Sequence, residues 1–171
     1  MIVLQDNLVL SFGSNQAIPA RVEFIEGEIK VEFGEPSYPY SFQTIQPELR
    51  RLNDSCAIVS CYHTGAGNQI AMVAGCLTSQ NMNMTWGPLL DFSEDYTFHD
   101  LSSFTGDRFI VVHAQIPWFE GQNKVDDRIH YGLGRVNPDL SVTVDPIQIL
   151  ELKSFGFLDM AQFVIVSSFN P

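Results

Sequence analysis

Phe109-Ile110-Val111-Val112-His113 is a short run of β-branched and aromatic residues that reads as a buried strand. The run recurs as Leu8-Val9-Leu10-Ser11-Phe12, Ala57-Ile58-Val59-Ser60-Cys61 and Phe163-Val164-Ile165-Val166-Ser167. Taken from their first residues, the four copies lie 49, 52 and 54 residues apart. Asp6, Asp54 and Asp107 stand just before the first three copies, where a tight turn belongs.

Each full copy is followed by the same pattern. A second strand comes after a polar, Gly-containing loop, at Arg21 to Ile25, Gln69 to Leu77 and Arg128 to Val136. A third ends in proline: Val31 to Pro36, Met84 to Pro88 and Val142 to Pro146. Proline donates nothing to a ladder and belongs on an outer, edge strand. A fourth precedes each later copy of the first run, at Phe42 to Leu52, Thr97 to Phe104 and Lys153 to Leu158. Met1 to Leu4 is at most a stub of such a strand. Helix signals are nearly absent, and Pro47 reduces the one candidate, Gln46 to Leu52, to a turn.

Four antiparallel strands in about 50 residues is the anatomy of a propeller blade. The expectation is an all-β chain, a β-propeller or partial propeller of about three and a half four-stranded blades. The repeats run over 5–46, 47–95, 96–152 and, in part, 153–171. A β-sandwich with chance periodicity is the bland alternative.

The motifs resemble a family of propeller-like repeats that occur many times over in large proteins. There a strand like F-V-V-A-Y is followed by one like G-T-A-V-V-G and one like I-T-F-G-x-P. The matching stretches here are Phe109 to His113, Ile70 to Gly75 and Val31 to Pro36. The resemblance implies a scaffold or binding repeat and supplies no catalytic set.

Composition bounds the function. Hydrophobic residues at 45% and charged residues at 17% exclude a disordered chain. A formal net charge of −11 repels phosphate backbones and anionic leaflets, so neither nucleic acid nor membrane insertion is expected. No run approaches the length of a membrane span, and no basic n-region marks a signal peptide. The chain is expected to be cytoplasmic if complete and extracellular if a fragment.

No motif for phosphate binding, dinucleotide binding, a nucleophile elbow or a zinc protease is present, so no enzyme, catalytic residue or cofactor is assigned. Paired acids at Glu94-Asp95 and Asp126-Asp127 would serve a propeller glycosidase only at a fixed spacing across a cleft. The strand pairing that sets Gln115 opposite Arg128 brings His113 to face His130, a possible half of a zinc site. The same register sets Cys56 opposite Cys76. It also sets Arg108 opposite Arg135, an unfavourable pair that argues for a shift of a residue or two. With three cysteines and no disulfide framework, Cys56, Cys61 and Cys76 are expected to be free thiols in a reducing compartment.

Trp118 and Phe119 in the long loop Ile116 to Asp127, with Trp86, are the candidate ligand-binding aromatics, and glycans the candidate ligand. The final run, with Phe163, Val164 and Val166, would leave an unpaired strand edge. A protein partner or another copy of the chain is expected to complete it. The leading expectation is therefore a non-enzymatic structural or protein-interaction module, with a lectin-like propeller as the rival.

Overall fold

A computed structural model of the chain describes residues 1–5, 7–13, 15–42, 44–63, 69–78, 82–92, 98–114 and 128–151. The described residues form three antiparallel sheets and contain no helix. The first sheet comprises β1 (Ile2–Gln5), β2 (Leu8–Gly13), β3 (Gln16–Ile25) and β4 (Glu28–Phe33). The second comprises β5 (Thr44–Arg51), β6 (Cys56–His63), β7 (Gln69–Thr78), β8 (Asn83–Trp86) and β9 (Leu90–Phe92). The third comprises β10 (Phe98–Thr105), β11 (Arg108–Ala114), β12 (Arg128–Val136), β13 (Val142–Val144) and β14 (Gln148–Glu151). The first four strands of each sheet follow chain order, as hairpin connections dictate.

Proline interrupts the outer strand without ending it. Past Pro88 and Pro146 the chain returns to the far end of the neighbouring strand, as β9 on β7 and β14 on β12. In the first sheet this return shrinks to a single bridge, Ala17 with Ser37. The stub at the amino terminus is a full first strand, with Ile2 opposite Leu10 and Val3 opposite Val9.

Six backbone hydrogen bonds, two in each sheet, fix which residues are equivalent. Val22, Leu77 and Val136 donate to the carbonyls of Asn7, Ser55 and Asp107. Gly34, Gly87 and Asp145 donate to those of Pro19, Ala74 and Leu133, each at 2.8 Å. Leu8 thus corresponds to Cys56 and Arg108, and Val9 to Ala57 and Phe109. The first repeat is therefore one residue out of phase with the spacing expected from its apolar run. Because strand side chains alternate, that single residue decides which face is buried.

The middle sheet is packed on both faces. Leu8, Leu10 and Ala17 of the first sheet meet Leu49, Ala57, Val59, Cys61, Ala71 and Val73 in one core. Ile58, Ile70, Met72 and Ala74 meet Leu101, Phe109, Val111 and Val136 in a second. Continuous apolar runs in β6 and β7 are what a doubly covered sheet needs.

Candidate functional site

The cross-strand register is the unshifted one. His113 stands opposite His130, Cys56 opposite Cys76 and Arg108 opposite Arg135. Cys56 and Cys76 form a disulfide, S–S 2.01 Å, which overturns the expectation of three free thiols. The two cysteines sit on adjacent strands with Cα atoms 4.1 Å apart, close enough for a bridge, and only Cys61 is left free. Cys61 lies buried beside Tyr40, and burial pushes its thiol up to about 12.

The histidine pair extends to a row of three. His99 on β10 is opposite His113 on β11, which is opposite His130 on β12. The His113 and His130 ring centroids are 5.3 Å apart, Phe92 lies edge-on to His113, and Tyr62 edge-on to His99. Desolvation lowers His113 to about 4, with His130 and His99 adding repulsion. Desolvation likewise lowers His99 to about 4, against the opposing pull of Asp100. Neutral, ring-packed imidazoles suit a core. Among the described residues no group of three or more His, Cys, Asp or Glu side chains is arranged to hold a metal ion. His99 escaped the sequence reading because its own strand, β10, is joined to β11 by a turn beside which the register bulges, between Ser103 and Thr105.

Comparison with family models, with curated proteins and with solved structures finds no match to this chain. Trp86, the described member of the candidate aromatic set, lies over Gly75, where a Cβ would overlap the indole. Its Nε1–H donates to Ser37 Oγ at 2.9 Å, tying the second sheet to the first. Trp118, Phe119, Phe163, Val164, Val166 and the acid pairs Glu94-Asp95 and Asp126-Asp127 lie outside the described residues.

The surface feature that sequence reading missed is the open face of the first sheet. Val3, Val9, Ala20 and Phe33 form one row across its four strands, followed by Val22 opposite Val31 and Phe24 opposite Ile29. Phe24, Ile29 and Phe33 are 75%, 71% and 71% exposed. The other face of the same hairpin carries Arg21, Glu23, Glu28, Lys30 and Glu32, with Ile25 at the turn as its one apolar member. Alternation this clean along β3 and β4 marks one wet face and one face made for contact. The alternation of Glu28-Ile29-Lys30-Val31-Glu32-Phe33 carries the signal, half of it outside the expected strand Val31 to Pro36.

Proposed function

We propose that the chain is a non-enzymatic structural or protein-interaction module built of propeller-like four-stranded units, completed by a further protein chain. The observation that carries this reading is the apolar row Val9, Ala20, Phe33, in which Ala20 is buried but Phe33, with Phe24 and Ile29 beside it, stays exposed. Its equivalents, Ala57, Gly75, Trp86 and Phe109, Gly134, Val144, lie against the preceding sheet. An apolar face that is covered twice and open once calls for a cover. The first strands β1, β5 and β10 also neighbour one another in succession, as they do around a propeller axis. The Cys56–Cys76 bridge suits an oxidising compartment and therefore the extracellular setting.

A second copy of the chain is the first partner to test, by sedimentation of the wild type beside Ile29→Glu/Phe33→Glu. The expected result is a wild type that sediments above its monomer mass. The variant is expected to sediment as a monomer with an unchanged circular dichroism spectrum. A wild type that stays monomeric and binds no exposed-surface dye would overturn the reading.

A further inference from the structure

The outward face of the third sheet departs from a pattern that the other two share. Gly34 and Gly87 stand just past the fourth strands of the first and second sheets. A Cβ on Gly34 would run into Met82, and one on Gly87 into Leu140, both on the sheet that follows. The missing side chain is what lets the next sheet close. The third equivalent is Asp145, which keeps the backbone bond but fills the gap with a carboxylate.

The adjoining row differs in the same sense. In the first sheet it is Leu8, Arg21 and Glu32, where Arg21 pairs with Glu32 at 3.2 Å. In the second it holds the Cys56–Cys76 bridge. In the third it holds Arg108 opposite Arg135, and Thr143 opposite Arg135 on the outer side. Like charges directly opposed are unfavourable. Among the described residues neither guanidinium has an ion pair or a side-chain hydrogen bond, in a chain of formal charge −11. With Phe104, Leu133, Thr143 and Asp145 they line a hollow of ≈ 260 Å³. Phe104 and Leu133 are about half exposed there.

We infer that this hollow binds a small organic monocarboxylate, its head held by Arg108 and Arg135 and its apolar body lying on Leu133 and Phe104. Guanidinium forks match a carboxylate in bidentate geometry, and the bound anion removes the repulsion between them. Asp145 at the same hollow offsets one of the two positive charges, which favours a singly over a doubly charged ligand. The volume suits a ligand smaller than the drug-sized occupants of typical pockets. The site lies on the third sheet and the exposed apolar row on the first, so each is tested by its own variants.

Titration with benzoate, acetate and phenyl phosphate at fixed ionic strength tests the assignment. Benzoate is expected to bind saturably and to raise the melting temperature, at least tenfold more tightly than acetate and more tightly than phenyl phosphate. Arg108→Gln and Arg135→Gln are each expected to weaken benzoate at least tenfold. The double variant, freed of repulsion, is expected to melt above the unliganded wild type. Arg135→Lys keeps the charge and loses the fork, and its weakened binding gives the same answer should neutralisation disturb the sheet. Lys30→Gln on the first sheet is expected to bind as wild type. Absence of saturable benzoate binding, wild-type binding by the double variant, or a preference for phenyl phosphate would overturn the inference.

Discussion

Cys56 and Cys76 face each other across β6 and β7 and are joined by a disulfide, at the position where the next sheet sets Arg108 against Arg135. The bridge spans 20 residues of sequence and fastens the hairpin at its open end, beside the cross-strand bond from Leu77 N–H to the Ser55 carbonyl. Closing a loop of this size restricts the unfolded chain by about 3 kcal/mol. Cys56→Ala/Cys76→Ala is therefore expected to lose stability of that order in urea unfolding. Alkylation of the unfolded, unreduced protein is expected to label Cys61 alone. Labelling of all three thiols would contradict the bridge.

Glycine recurs at one point of the sheets because an aromatic ring needs the space. Gly75 lies beneath Trp86, and Gly134 lies against the ring of Phe109. Both rings are cross-strand neighbours of their glycines, and neither can retreat without opening a core. Overfilling a packed site costs about 1–3 kcal/mol. Gly75→Ala and Gly134→Ala are each expected to lower the unfolding free energy by that amount. Gly13→Ala, where an added Cβ meets nothing within 4 Å, is expected to change it by less than about 0.5 kcal/mol. Equal effects at all three glycines would show that the rings move aside.

His99 and His113 make stability depend on pH in a defined window. Both are lowered from 6.5 to about 4 in the folded protein. Between those values the unfolded chain binds two protons that the native state does not, so stability rises with pH there. It is fully present above pH 6.5 and is lost as pH falls toward 4, by a few kcal/mol in all. Denaturation midpoints measured from pH 7.5 to 4 are expected to fall across that range. His113→Gln is expected to flatten the slope. An unchanged slope in that variant would place the titration elsewhere.

Much of the fold was legible in the sequence because its signals are local. The apolar runs, the turns before Leu8, Ala57 and Phe109, and the prolines at the outer edge each report on a few residues. Register was legible too, since the pairing that sets His113 against His130 also sets Arg108 against Arg135 and, carried to the equivalent hairpin of the preceding repeat, Cys56 against Cys76. The like charges argue for a shift, but both arginines lie on the exposed outward face, where water weakens their repulsion without abolishing it and the register tolerates it. Two features were not legible. The phase of the first repeat turns on whether Val9 or Leu8 matches Ala57, and apolar residues at both positions hide the answer. The redox state of the cysteines depends on compartment, to which their spacing gives no guide.

Tyr40 joins the first two sheets through one hydroxyl. It lies in the segment between β4 and β5, its ring 4% exposed in the core the sheets share, edge-on to Phe12 and tilted against Phe42. Its O–H donates to the Val59 carbonyl at 2.8 Å, and burial raises its pKa well above that of free tyrosine. The hydroxyl therefore remains a neutral donor throughout the range in which the protein is handled. Tyr40→Phe keeps the ring and removes the donor, and is expected to cost about 1 kcal/mol in urea unfolding. Tyr40→Ala empties the site and is expected to cost about 3–5 kcal/mol. The comparison separates the bond from the packing. A Tyr40→Phe variant as stable as the wild type would assign the whole of Tyr40's contribution to its ring.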